Sequence, residues 1–213
     1  MEKEVILINQ GWSFKLEDGS AEETVNLPHT VKLTPANSSG CRNFQGICRY
    51  SKQIYIPEEY NAKKLFLRFE GAMGAAVLYI NGKEANMHFC GYTPFVTDIT
   101  DLVNYGEDNE LYITLDNSDD PLIPPGKPQR DLDFSYDGGL YRNVTLTVCE
   151  PLYVTDPILA NEKAGGGIFV SYSNVSKKNA DIRIKAQIKN EFAENKEYTA
   201  QFSIISPDGD IVG

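Results

Sequence analysis

The chain has 213 residues, a formal net charge of −10, 23% charged residues and 41% hydrophobic residues. This is the composition of a soluble globular protein, with length for one large domain or two small ones. The acidity argues against nucleic acid and against anionic membranes as partners, because both require a basic patch.

Four cysteines occur without CxxC spacing, and His29 and His88 are the only histidines, so neither a zinc site nor any other cofactor is expected. Cys90 and Cys149 lie in apolar, strand-like contexts and read as buried thiols. Cys41 and Cys48 bracket a short loop and would pair only in an oxidising compartment. The apolar run at the N-terminus is too short for a signal peptide, and no segment reaches the length of a membrane span. A cytoplasmic location is therefore expected, with a periplasmic or secreted one as the alternative if a leader has been removed.

In chain order, period-two alternation dominates and helical periodicity is almost absent. Trp12, the only tryptophan, sits near Phe14 in an amphipathic segment and reads as core. Leu65, Leu67 and Phe69 share one strand face. Ala76 to Ile80 forms the next strand and ends in Asn81-Gly82, a hairpin signal, with the return running from Lys83 to Phe89. One short helical turn is expected to start at Thr100. Leu111, Ile113 and Leu115 alternate with Tyr112 and Thr114, as Val144, Leu146 and Val148 do with Thr145 and Thr147. The stretch from Pro121 to Gln129 reads as a rigid polyproline-like lead or as a plain surface linker.

Residues 131 to 144 are the most informative stretch. Asp131, Asp133 and Asp137, with Phe134 and Tyr136, precede Gly138-Gly139, and Arg142 follows. Carboxylates accept hydrogen bonds from hydroxyls and aromatic faces cover a pyranose, so this composition suits a sugar subsite. The competing reading is a turn before a strand.

A boundary falls at Glu150-Pro151, where proline interrupts a strand ladder. Beyond it, Ile182, Ile184, Ala186 and Ile188 form one alternating set, and Tyr198, Ala200, Phe202 and Ile204 another. Short strands between Gly, Pro, Asn and Asp clusters mean an all-β chain of antiparallel sandwiches. Residues 1–150 are expected to form the first domain. Residues 151–213 are too few for a complete immunoglobulin-like sandwich and read as the start of one, truncated. Its uncovered apolar face and edges are expected to promote homodimerisation or strand exchange through residues 158 to 212.

Several segments together resemble the N-terminal part of glycoside hydrolase family 2, the family of β-galactosidases, β-glucuronidases and β-mannosidases. They are Gly11-Trp12-Ser13-Phe14, Asn26-Leu27-Pro28-His29-Thr30, Phe69-Glu70-Gly71, Val77 to Gly82, Gly91-Tyr92-Thr93-Pro94-Phe95, Asp98-Ile99-Thr100, Asn109-Glu110-Leu111, Asp116-Asn117 and Gly138-Gly139-Leu140-Tyr141-Arg142-Asn143-Val144. The resemblance implies a jelly-roll, galactose-binding-like sandwich for residues 1–150, then an immunoglobulin-like sandwich, then a catalytic barrel that is missing here. It implies a retaining mechanism on terminal β-glycosides with both glutamates in that barrel. No catalytic residue is therefore assigned. Asn109-Glu110, Asn161-Glu162 and Asn190-Glu191 copy the family's Asn-Glu pair but lie in sandwich-type surroundings and read as turn or strand-edge residues.

Counting back from Gly139-Leu140-Tyr141-Arg142, the resemblance makes Asp133 the substrate contact, with Asp131 beside it. A second contact in β-galactosidases, an asparagine, matches Met73, whose thioether cannot supply an amide's hydrogen bonds. His29 and His88 read as structural, and Arg142 as a brace pairing with Asp137 or Glu70. The chain is thus read as the non-catalytic part of a β-galactosidase-like hydrolase, its partners being a carbohydrate and its own barrel. A free-standing carbohydrate-binding module is the alternative. A structural or adhesion sandwich would not need the acidic aromatic loop.

Overall fold

The computed structural model describes residues 3–17, 19–31, 44–134, 136 and 138–213. The strands are β1 (Lys3–Leu7), β2 (Trp12–Leu16), β3 (Glu23–Val25), β4 (Ile47–Ile56), β5 (Lys64–Phe69), β6 (Ala75–Ile80), β7 (Lys83–His88), β8 (Phe95–Asp98), β9 (Glu107–Asp116), β10 (Val144–Cys149), β11 (Leu152–Val154), β12 (Ile168–Ser173), β13 (Asp181–Ala186) and β14 (Ile188–Asn190). The single α-helix among the described residues, α1 (Pro157–Ala160), is capped by Asp156, whose carboxylate accepts from the backbone of Ile158 and Leu159.

Two antiparallel sheets form a jelly-roll sandwich. One runs β3-β2-β4-β9-β6-β7 and the other β1-β10-β5-β8. The inward sides close one apolar core, because alternation places every second residue on the same face. Leu65, Leu67 and Phe69 of β5 and Val144, Leu146 and Val148 of β10 meet Tyr50 of β4, Leu78 of β6 and Leu111, Ile113 and Leu115 of β9. The alternating sets read from the sequence are thus the core sets. Trp12 is fully buried, donates its indole N–H to the Ile8 carbonyl at 2.7 Å and meets Phe69 edge-on. Asn81 and Gly82, at φ 51° and 75°, turn the hairpin between β6 and β7 as the Asn-Gly pair demands.

One buried polar residue organises a sheet end. Asn109 is fully buried within β9, where a turn or strand-edge position was expected. Its side chain accepts from the Asn104 backbone N–H and from Asn81, and donates to the carbonyls of Asn104 and Glu107. That ties the hairpin to the loop before β9 and satisfies the whole amide.

β11–β14 and β12–β13 are separate two-stranded pairs. The set from Ile182 to Ile188, expected as one strand, divides at Gln187. Gln187 leaves the ladder to exchange backbone bonds with Thr155 and Gly167. Tyr198 to Ile204 is not a strand, and only an isolated bridge, Ile205 to Ile211, follows it. Alternation supplies a face but not a partner, and an unpaired segment does not become a strand. The short turn expected at Thr100 is present, closed by the Leu102 N–H on the Ile99 carbonyl at 2.9 Å, and does not extend into a helix; Thr100 spends its hydroxyl on Asp98 and on the backbone N–H of Leu65.

Ion pairs and rings join the first sandwich to the residues that follow. Lys64 meets Asp98 at 2.6 Å and Glu191 at 2.9 Å, Arg68 meets Asp156 at 3.1 Å, and Phe66 packs on Tyr153. Burial opposes the charges of Asp98 and Glu191, but hydrogen bonds led by Lys64 and Thr100 for Asp98, and by Lys189 and Lys64 for Glu191, hold both carboxyls below their ordinary range.

Candidate functional site

The acidic aromatic loop leaves the sandwich at the end of β9 and returns at β10. Its outgoing stem is fixed by side chains that bond backbone. Asn117, nearly buried, accepts from the Gly46 N–H at 2.9 Å and donates to the Phe44 carbonyl at 2.7 Å. Asp119 accepts from the Gln129 backbone N–H at 2.9 Å and from the Gln45 amide. Asp120 accepts from the Leu122 N–H at 2.7 Å, and the N–H groups of Ile123 and Gly126 close two further turns. The stretch from Pro121 to Gln129 is therefore a folded run of turns and not an extended polyproline lead. Proline's fixed φ suits the second position of a turn as well as an extended helix, and the flanking aspartates decide between them.

The returning stem is held by backbone. The Gly138 carbonyl accepts from Val31, that of Gly139 from Met73, and that of Leu140 from His29 at 2.8 Å. Gly139 has φ 98°, and a β-carbon there would lie 2.4 Å from the Tyr50 hydroxyl. Hence a glycine is required for close approach as well as for conformation.

Between these stems the apex is open. A 3-10 turn spans Gln129–Asp131. Asp131 is exposed, and its ion partner among the described residues is the neighbouring Arg130 at 3.6 Å. Asp133 is exposed and makes no hydrogen bond or ion pair among the described residues, and Phe134 beside it is also exposed. Tyr136 is buried at the loop's base, and burial raises its phenol above the ordinary range. Asp137 lies outside the described residues. The apex therefore presents an exposed carboxylate and an exposed aromatic ring, with no hydrogen bond from the Asp133 carboxylate among the described residues, between two stems tied by hydrogen bonds.

Met73 is buried, with its sulfur packed where a β-carbon on Gly91 would go. It is a packing residue beneath the loop. His29 bonds Tyr50 at 2.8 Å, and His88 bonds Thr93 and stacks on Phe95, so both are structural. Arg142 reaches the carbonyls of Glu70 and Tyr92 and lies over the Tyr141 ring; it braces through backbone and not through the Glu70 carboxylate. Cys149 and Cys48 are buried free thiols, and burial pushes Cys48 up to about 12. Cys41, the other half of the weighed pair, lies outside the described residues. Cys90 is only half-buried, because its thiol turns to the Thr93 side chain and nearby backbone. No group of His, Cys, Asp or Glu that could hold a metal occurs among the described residues.

The sequence reading did not anticipate a groove of about 610 Å³ on the outer face of the four-stranded sheet. It is lined by Val5, Phe66, Arg68, Thr147, Tyr153 and Asp156 and includes neither Asp131 nor Asp133. Arg68, opposite Leu65, Leu67 and Phe69, and Thr145 and Thr147, alternating with Val144, Leu146 and Val148, were the traces of that face in the sequence.

Residues 2–188 match the family model of the glycosyl hydrolases family 2 sugar binding domain. A β-glucuronidase of Bacteroides fragilis is 32% identical over 210 residues, which are 98% of this chain and 29% of the relative. A β-galactosidase of Thermoanaerobacter pseudethanolicus is 31% identical over 157 residues, 73% of this chain and 21% of the relative. Among solved structures, a β-glucuronidase from glycoside hydrolase family 2 superposes with a TM-score of 0.79 at 27% identity, covering 99% of this chain and 24% of its own. The chain thus spans less than a third of the length of each of these relatives.

Proposed function

The chain belongs to glycosyl hydrolase family 2, and on that premise we propose that it is the sugar-binding part of a retaining hydrolase acting on terminal β-glycosides. In this reading residues 1–150 are the jelly-roll domain and residues 151–213 the start of an immunoglobulin-like one. The catalytic acid/base and nucleophile belong to a barrel outside these residues, and the acidic aromatic loop is one wall of its mouth. The observation that carries the reading is the exposed carboxylate of Asp133, which makes no hydrogen bond or ion pair among the described residues, on a loop anchored at both stems. An ionised carboxylate accepts hydroxyl protons and presents no hydrogen-bond donor.

The same chemistry bears on the sugar. The relatives named above include both β-glucuronidases and a β-galactosidase. A glucuronate carboxylate would face Asp131 and Asp133, and like charges at close range oppose binding. We take a neutral galactoside-like sugar as the substrate; Met73, buried as a packing residue, stands at the second polar contact of β-galactosidases and counts against a galactose-specific site.

Purified residues 1–213 are expected to hydrolyse no nitrophenyl β-glycoside and to bind sugar only very weakly. Turnover by the pure chain would overturn the assignment, and tight sugar binding without turnover would favour a free-standing carbohydrate-binding module. Ile168, Val170, Tyr172 and Ile182 are exposed on β12 and β13. Such a surface drives association, so light scattering of the isolated chain at high concentration is expected to show a dimer. A monomer would refute association through these strands.

A further inference from the structure

The groove on the outer face of the four-stranded sheet is floored by rows of outward side chains. Ladder pairing aligns Val5 of β1, Thr147 of β10 and Phe66 of β5 in one row, and Thr145, Arg68 and Val96 of β8 in the next. Two residues along an antiparallel strand advance about 7 Å, so each row offers its contacts one step further along the groove. Tyr153, Asp156 and the exposed Ile168 form the facing wall. Phe66 and Tyr153 pack on each other and are buried, so they close the back of the groove and leave no open aromatic face.

The polar groups over this floor are mostly unspent. The hydroxyls of Thr145 and Thr147, the Glu70 carboxylate and the Lys3 ammonium make no hydrogen bond or ion pair among the described residues. Arg68 commits one nitrogen to Asp156 at 3.1 Å, which leaves the rest of its guanidinium fork for a ligand. Lys3 and Arg68 balance Glu70 and Asp156, so the lining carries no net charge. A charged ligand therefore gains nothing from the site as a whole, whereas an uncharged one that both donates and accepts can use every group. The volume of about 610 Å³ is that of an ordinary small-molecule pocket.

We propose that this groove is a binding site for an uncharged oligosaccharide lying along the strands. Its hydroxyls meet Thr145, Thr147, Arg68 and Glu70, and the apolar faces of its rings rest on Val5 and Ile168. A peptide suits the groove less well. The backbones of β10 and β5 beneath it are paired on both sides, so an extended peptide finds no free edge there and recognition falls to side chains. None of the groove residues belongs to the acidic aromatic loop, so the site stands whether or not Asp133 touches substrate. A few hydroxyl contacts without aromatic stacking give weak binding, with a Kd on the order of 1 mM.

The test is an NMR titration of the full 213-residue chain with lactose, an uncharged disaccharide, and separately with trialanine, a zwitterionic peptide. Lactose is expected to shift the amides of Arg68, Thr145 and Thr147, and trialanine to leave them in place. Thr147→Val keeps the branched shape on the strand and removes one hydroxyl, so it should raise the Kd about tenfold, the worth of one hydrogen bond, at an unchanged unfolding midpoint. Thr145→Val repeats the measurement one row along. Asp133→Asn should leave the groove shifts as they are, so loss of the loop's role would not be mistaken for loss of the groove. Groove amides unmoved by lactose, shifts confined to residues 131–134, or an equal Kd in both threonine variants would overturn the proposal. Groove amides that move with protein concentration and not with lactose would give the groove to a second copy of the chain, and would overturn it too.

Discussion

Gly74→Ala is expected to abolish or nearly abolish folding of the first sandwich. A β-carbon on Gly74 would lie 2.0 Å from the Asp116 carbonyl oxygen and 2.8 Å from the Asn117 α-carbon, and the residue holds φ 95°. Both obstacles are backbone, so no rotamer change relieves them. The obstructing atoms belong to the end of β9, paired on one side with β6 at Ala75 and on the other with β4 at Ile47. Moving them would unzip the central ladder. The positive φ alone costs about 1–2 kcal/mol in a residue with a β-carbon, and the overlap brings the total to roughly 4–5 kcal/mol or more, at the exceptional end for one substitution. Such a loss consumes most of a domain's stability. Chemical denaturation or the soluble yield measures it. A variant that unfolds within about 1 kcal/mol of the parent would show that the close approach of residues 74 and 116 is wrong.

Asp133→Asn is expected to lower kcat/KM of the whole hydrolase on a galactoside-like substrate by roughly 10- to 150-fold, the worth of about 1.5–3 kcal/mol for a hydrogen bond to a charged group. The fold should be untouched, because Asp133 is exposed and bonds no described neighbour. Asn keeps the shape and one acceptor oxygen but loses the charge and offers an N–H where a hydroxyl donor arrives. Asp131→Asn should matter less, since Asp131 already lies beside the Arg130 guanidinium. The pair of variants separates one specific contact from a general effect of the loop's acidity.

Most of the sandwich was legible because its strands obey one rule. Where one face is buried and the other wet, the period of two is forced into the residues, as at Leu65, Leu67 and Phe69. The Asn81-Gly82 hairpin was equally legible, since few other pairs adopt its backbone. Polar residues inside the core were not. Asn109 sits in an ordinary alternating strand, and nothing local distinguishes a buried amide meeting Asn81 and Asn104 from an exposed one. The same limit governed Pro121 to Gln129, where composition allowed an extended rod and the carboxylates of Asp119 and Asp120 made turns. Residues 198–204 failed in the other direction, with a face available and no partner strand. At the site, the glycines and the acidic cluster were readable because they are rare in combination. The tie of His29 to the Leu140 carbonyl was hidden, because it joins residues 111 positions apart in the chain (140 − 29).

The central claim is that this chain lends Asp133 to a sugar site completed elsewhere in the protein. The most direct measurement is kcat/KM for nitrophenyl β-galactoside with the whole protein and its Asp133→Asn and Asp131→Asn variants, alongside their unfolding midpoints. The account predicts a fall of roughly 10- to 150-fold for Asp133→Asn, a clearly smaller one for Asp131→Asn and unchanged midpoints. Equal activity of Asp133→Asn and the unmutated protein would contradict it.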